Sequence, residues 1–320
     1  MPYIESCGDN APLDSVDVRV FCEMAFRNPR YHELGDRRPS LAEIGKKLRL
    51  DEKTVRARVS RMEDSGFIKY YQASPNLGLF GMHTVSLYRF EALNLSTKFA
   101  VIEGLGGVPR LVESSDYLGP YLTASIAGAT HEETKREADG LTNRFELSTV
   151  YLGSTSVRQV PAHLDGLDWQ IVKGLRYDAR TSDKDLAARL AVTVRMVGYR
   201  VSKLLNSGAI EIRAVINPQK QAGLVFYELE VFTHPRRQEQ VSRWLSRHFG
   251  DRLWSLVSRP GGVILASLFC FSIAEPEASV IEVGREDGVA RCLLFVLKEV
   301  IEPGKPNWVD SLIELRIGNA

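Results

Sequence analysis

The most constraining feature of this sequence is that it repeats itself. Arg58-Val-Ser-Arg-Met-Glu-Asp-Ser-Gly-Phe-Ile68 returns as Arg200-Val-Ser-Lys-Leu-Leu-Asn-Ser-Gly-Ala-Ile210, and Leu13-Asp-Ser-Val-Asp17 returns as Leu164-Asp-Gly-Leu-Asp168. Across 40–68 and 182–210, 9 of 29 positions are identical without a gap, so the chain reads as two copies of one folding unit. The Leu13 pair is offset by 151 residues and the Arg58 pair by 142, which gives the first copy about nine extra residues. They must fall within Phe26 to Pro39, a loop-like stretch rich in Arg, Pro and Gly. At 320 residues the chain also exceeds the usual ~100–200 residues per domain.

Each copy opens with three helical patterns. Leu164, Leu167, Ile171 and Leu175 recur at three- and four-residue steps, as do Leu13, Val16, Val20 and Met24; this is the stripe of an amphipathic helix. Ser40 and Ser182 stand where N-caps belong, and Glu43 completes a capping box behind Ser40. Asp51 and Thr193 are N-caps for a third helix that ends at Gly66 or Gly208. Apolar or alternating runs follow each glycine, as a strand or wing requires.

The segments after each trihelical unit also match in kind. Residues 82–158 read as strand, helix, strand, strand, helix, strand, with Leu95, Phe99 and Ile102 on one face of the first helix. Residues 224–301 repeat that order, with Val241, Trp244, Leu245, His248 and Phe249 inward. A βαββαβ order implies an antiparallel ferredoxin-like sheet with helices on one face. The expected fold class is therefore α+β, two winged helix-turn-helix units alternating with two ferredoxin-like domains. The expected boundaries are an N-terminal segment 1–12, units at 13–75 and 159–218, and ferredoxin-like domains at 76–158 and 219–320. The tail from Trp308 to Ile317 is unplaced.

With these residues in view, the chain resembles the Lrp/AsnC family of transcription regulators in tandem duplication. The family pattern opens with Leu-Asp-x-x-Asp and closes the third helix on a polar residue, Gly and Ile. It is met at Leu13-Asp14-x-x-Asp17 through Gly66-x-Ile68, and again at Leu164-Asp165-x-x-Asp168 through Gly208-x-Ile210. The resemblance implies a winged helix-turn-helix for double-stranded DNA, and a ferredoxin-like domain that pairs with a second one and often senses a small effector. The two halves are expected to pair within one chain with their sheets facing each other, a homo-oligomer being left open.

Helix geometry sorts the third helix. At about 100° per residue, Val55, Val59 and Met62 share one stripe, as do Val197, Val201 and Leu204. Opposite them stand Lys53, Arg56, Ala57 and Ser60, and Arg195, Gly198, Tyr199 and Ser202. The N-terminal part of a recognition helix enters the major groove, which favours Lys53, Arg56 and Arg195 for base contact, with Thr54 beside them as a further DNA-binding candidate. Arg58, Arg61, Arg200 and Lys203 are assigned to phosphate or to a salt bridge with the neighbouring helix, a choice the sequence leaves open. The faces differ between copies, so an asymmetric DNA site is expected. For an effector, the stretch Ser114 to Pro120 offers Asp116 and Tyr117, although it lacks the family's full Gly-x-Tyr-Asp pattern.

Other chemistries find little support. There is no H-E-x-x-H, P-loop, G-x-S-x-G or G-x-G-x-x-G. Cys7, Cys22, Cys270 and Cys292 form no C-x-x-C pair, so no metal or cofactor is expected. No stretch approaches 18 apolar residues and no leader pattern opens the chain, which suggests a cytoplasmic protein with no membrane partner. The chain is expected not to be an enzyme. Proteins of this architecture that decarboxylate sirohaem are the alternative, with His83, His131 and His234 as candidate groups; a ligand-binding or scaffold protein without DNA binding is another. Charge favours DNA. The net charge of only +1 conceals +3 in 13–75 and +4 in 164–220 against −2 each in 1–12, 76–163 and 221–320, so the positive charge is confined to the segments that resemble DNA readers.

Overall fold

The computed structural model describes residues 12–25, 40–160, 163–220 and 223–318. The extra residues expected within 26–39, and the N-terminal segment except Pro12, lie outside the described residues. In chain order the first copy runs α1 (Ser15–Ala25), α2 (Leu41–Leu48), α3 (Glu52–Asp64), β1 (Ile68–Pro75), β2 (Thr84–Glu91), α4 (Leu95–Gly104), β3 (Leu111–Tyr117), β4 (Tyr121–Gly128), α5 (His131–Phe145) and β5 (Ser148–Ser156). The second runs α6 (Gly166–Leu175), α7 (Asp183–Leu190), α8 (Val194–Asn206), β6 (Ile210–Ile216), β7 (Val225–Thr233), α9 (Gln238–Phe249), β8 (Leu253–Arg259), β9 (Val263–Cys270), α10 (Glu275–Gly284) and β10 (Val289–Ile301), followed by α11 (Trp308–Gly318). Two winged helix-turn-helix units thus alternate with two βαββαβ units.

The helix starts are fixed by the caps the sequence supplies. Ser40 Oγ accepts from the Glu43 N–H at 3.1 Å, and the Glu43 carboxylate accepts from the Ser40 N–H at 2.9 Å. Ser182, Asp51 and Thr193 cap α7, α3 and α8. The turn from α2 to α3 needs Gly45, because a Cβ there would lie 2.6 Å from the Leu50 carbonyl oxygen.

The halves are built into each other. The expected wings, β1 and β6, pair antiparallel from Ile68↔Ile216 to Pro75↔Ile210. The core of the first helical unit, with Phe21, Ile44, Val55 and Phe67, continues onto Ala214, Ile216 and Phe226 of the second copy. Ala73 in turn joins Trp169, Ile171, Val197 and Leu204, and α11 adds Val309 and Ile313. The unplaced tail is therefore part of the second helical unit's core, anchored by the Trp308 Nε1–H bond to the Leu111 carbonyl at 2.7 Å.

The sheets do not face each other as two separate layers. They form one eight-stranded antiparallel sheet in the order β5-β2-β4-β3-β10-β7-β9-β8, joined edge to edge where Tyr117 to Ser114 of β3 meet Leu297 to Ile301 of β10. The two outer strands come together: a Cβ on Gly153 of β5 would lie 2.8 Å from Cβ of Arg259 on β8. The sheet is thus curled round an interior.

Two expectations are corrected here. Leu95 and Phe99 of α4 are half exposed, at 52% and 50%, while Lys98 and Val101 are buried. The cause is electrostatic. Asp116 and Tyr117, the expected effector contacts, lie within β3 rather than in the turn after it, and the buried Asp116 carboxylate draws the Lys98 ammonium to 2.5 Å. Lys98 Nζ also donates to the Gly119 carbonyl at 2.6 Å, and Lys298 reaches Asp116 at 2.9 Å. A buried charge is tolerated only with such partners, so the helix turns its lysine inward. Lys98→Met is expected to cost roughly 3 kcal/mol by leaving Asp116 undercompensated. Lys298→Ala, whose side chain is 39% exposed, should cost under about 1 kcal/mol. Urea unfolding of both variants checks the difference.

Candidate nucleic-acid interface

The third helix of each unit, α3 or α8, has an inner scaffold and an outer face. Val55, Val59 and Met62 are buried in α3, and Val197, Val201 and Leu204 in α8, as helix geometry requires. Beside them a repeated polar device ties the third helix to the first. Asp14 and Asp17 form a reciprocal cap, each carboxylate accepting the other's backbone N–H at 2.9 Å. Asp165 and Asp168 do the same at 3.3 and 2.9 Å. Into each pair a guanidinium descends. Arg58 Nη1 donates to Asp14 and Asp17 at 2.8 Å, and Arg200 Nη1 to Asp165 at 2.7 Å and Asp168 at 2.8 Å. Arg61 donates to Asp17, and Lys203 Nζ lies 4.0 Å from Asp168. The Arg200 guanidinium holds the Asp165 carboxyl below the usual carboxylate range. Of the two roles open to Arg58 and Arg200, the salt bridge with the first helix is made in both copies.

The outer faces stay open. Lys53, Arg56 and Ser60 are exposed, as are Arg195, Tyr199 and Ser202. Arg56 pairs with Glu52 one turn earlier at 2.5 Å, and Thr54 is half-buried with its hydroxyl donating to Asp51 at 2.7 Å. Tyr199 is 70% exposed. The second face carries a group that sequence reasoning missed. A Cβ on Gly198 would sit 3.0 Å from Asp183 Oδ2, so the glycine admits a carboxylate from the start of α7 where the first copy has Leu41. The mid-helix glycine was the available signal.

Two cavities open between elements. One of about 720 Å³ lies between the β1–β6 ribbon, β3 and α11, lined by Tyr70, Tyr177, Trp308, Arg158, Arg176 and Arg213. Arg176 donates to Asp310 at 3.1 Å and Arg213 to Glu113 at 3.0 Å. The other, of about 160 Å³, lies inside the curled sheet and is lined by Tyr117, Glu228 and Arg259 among others. Burial first, and Glu230 second, push the Glu228 carboxyl up to about 7.

The histidines are dispersed. His83 contacts Gln159 at 3.0 Å, His131 packs on Tyr151 with ring centroids 4.6 Å apart, and His234 caps a short turn through Arg236. Among the described residues no three His, Cys, Asp or Glu side chains could together hold a metal, and no helix is long and apolar enough to cross a membrane.

These features define a tandem winged helix-turn-helix protein. Residues 164–205 match the family model of the AsnC-type helix-turn-helix domain, and residues 34–69 match that of the winged helix-turn-helix DNA-binding domain. The chain thus carries two helix-turn-helix domains in tandem, the second of AsnC type. No curated protein matches it significantly in sequence. Among solved structures it is similar to the siroheme decarboxylase NirDL at 12% identity, covering 96% of this chain and 99% of that one with a TM-score of 0.53. The same enzyme in complex with an iron-uroporphyrin III analogue gives 13% identity over the same 96% and 99%, with a TM-score of 0.52. E. coli AsnC is 19% identical, covering 42% of this chain and 92% of its own, with a TM-score of 0.36. One expectation is thereby overturned. The absence of enzymatic motifs suggested that the chain is not an enzyme, yet the fold it shares over nearly its whole length is that of an enzyme. The physical reason is that scaffold and chemistry are separable, so missing motifs of other folds carry no weight.

Two measurements follow from this geometry. Arg200→Ala strands the Asp165 and Asp168 carboxylates and is expected to lower stability by roughly 2 kcal/mol, whereas Lys53→Ala and Arg195→Ala stay within about 0.5 kcal/mol in denaturant unfolding. Native Glu228 keeps a proton that the unfolded chain releases above the ordinary value of 4.5, so it penalises the fold increasingly as pH rises towards about 7. Glu228→Gln should match the natural chain near pH ~4 and exceed it by roughly 2 kcal/mol above pH ~7, read from unfolding across pH.

Proposed function

We propose that the chain is a transcription regulator that binds double-stranded DNA sequence-specifically, reading an asymmetric site with α3 and α8. One observation carries the reading. Both copies keep the same inner device, a carboxylate pair clamped by Arg58 or Arg200, while their outer faces remain exposed and differ, Arg56 and Ala57 against Gly198 and Tyr199. A scaffold held constant beneath divergent exposed faces suits two readers of unlike half-sites. Lys53 and Arg195, in the first turn of each helix, are the favoured base contacts, and Tyr199 adds an aromatic edge to the second half-site only. Of the two expected effector contacts, Tyr117 is the better supported, because Lys98 and Lys298 already neutralise Asp116.

Selection of bound duplexes from a random pool tests this. The recovered site should be asymmetric, with half-sites about one helical turn apart or a multiple of it, and binding should weaken steeply with salt as phosphate counterions are released. Arg195→Ala should relax preference at one position by roughly 1–3 kcal/mol. Salt-independent binding, or none, rejects the reading.

A second reading is favoured by the larger cavity. At about 720 Å³, with aromatic walls and the arginines 158, 176 and 213, it is on the scale of a tetrapyrrole with acidic side chains, the class of compound named with the NirDL complex. Addition of sirohaem to the purified protein, followed by its absorbance and by the mass of recovered tetrapyrrole, tests it: a shift with loss of carbon dioxide supports decarboxylation, and an unchanged spectrum rejects it.

A further inference from the structure

The outer faces of α3 and α8 differ most along one flank. In α3 that flank carries Glu52 and Arg56, one turn apart and paired at 2.5 Å. The matching places in α8 hold Val194 and Gly198, whose side chains neither donate nor accept. A group from the neighbouring helix stands there instead. Asp183, the first residue of α7, brings Oδ2 to 3.0 Å from where a Cβ on Gly198 would lie. A guanidinium on one unit is thus answered by a carboxylate on the other, and a donor has become an acceptor.

Helix stability does not account for the exchange. An acid in the first turn favours a helix, but Glu43 already fills that role in α2 and Asp185 in α7. Asp183 is additional. A glycine inside a helix is unfavourable relative to alanine, and here it makes room for the carboxylate. Asp183 is half-buried and makes no hydrogen bond or ion pair among the described residues, so its oxygens remain free to accept. Beside the phosphates of a duplex a carboxylate is repelled, and a donor on a base edge is what offsets that repulsion. In the major groove cytosine presents only its N4 amino donor; guanine N7 and O6 and thymine O4 are acceptors, and adenine sets an acceptor beside its amino group. Cytosine is therefore the base that a lone carboxylate selects, as guanine is for a guanidinium.

We propose that Asp183 is a specificity-determining residue of the second unit, accepting from cytosine N4 where Arg56 of the first unit donates to guanine, so that the base pair at this position is reversed between the half-sites. The inference rests on the reading of α3 and α8 as DNA-facing helices. Parallel selections from one random duplex pool, with the natural full chain, Asp183→Asn and Gly198→Ala, test it at a single salt concentration. The natural chain should favour cytosine at one position of one half-site by at least about fivefold. In Asp183→Asn that preference should fall below about twofold and adenine should rise, because asparagine pairs with adenine N6 and N7; every other position should keep its weights. Affinity for an unrelated duplex should rise, since an anion has left the phosphates. Gly198→Ala, which displaces the carboxylate, should weaken the same position alone. An acid that served only its own helix would leave base preference unmoved. An asymmetric site that Asp183→Asn reads as the natural chain does overturns this proposal and spares the reading of DNA; a natural chain that selects no duplex overturns both. If Gly198→Ala does not fold, the comparison of Asp183→Asn with the natural chain still decides.

Discussion

Strand pairing across the duplication is the constraint on which the rest of this structure depends. A four-stranded βαββαβ sheet has two open edges, each a row of unpaired backbone donors and acceptors. Here β3 gives its edge to β10, and above them β1 gives its ladder to β6. Neither helical unit is complete alone, since Ile216 and Phe226 finish the core under α3 and Ala73 finishes the core under α8. The orientation of the two third helices is therefore set by backbone hydrogen bonds between copies and by shared hydrophobic cores, rather than by a flexible linker.

The pairing is only partly symmetric. Had the copies remained identical, the β5 and β8 edges would have closed as β3 and β10 do. Instead a glycine on one strand faces a long cation on the other, and the interior there sets polar groups such as Glu228 and Arg259 beside the apolar Leu87 and Leu265. A second asymmetry sits on the helical face, where Gly198 and Asp183 replace Arg56 and Leu41. The copies have thus diverged at a cavity and at an exposed face, while the carboxylate pairs and their arginines are the same in both.

Much of this was legible because it depends on near neighbours in sequence. The caps at Ser40, Asp51, Ser182 and Thr193 act over three residues, and the inner stripe of each third helix follows from helical periodicity. The Leu-Asp-x-x-Asp motif was recognised as a pattern, but its meaning needed the fold: Asp14 and Arg58 are 44 residues apart. The inward face of α4 was not legible, because Leu95, Phe99 and Ile102 satisfy helical periodicity and only the buried Asp116 on a strand makes Lys98 the inward residue. The two cavities were invisible for the same reason, as each is lined by residues from both copies. The wings were expected as separate strands, and nothing in their alternation says which partner each will take.

The β1–β6 ribbon has a consequence for how the molecule behaves on dilution. In a protein made of two subunits, the equivalent contact is lost below the dissociation constant, and unfolding becomes a function of protein concentration. With both strands on one chain, partnering is unimolecular and the local concentration of one half around the other is fixed by covalent connection. A few copies per cell would be as fully assembled as a concentrated solution. Each half can also drift on its own, because a substitution in one leaves its counterpart untouched, a freedom no homodimer has.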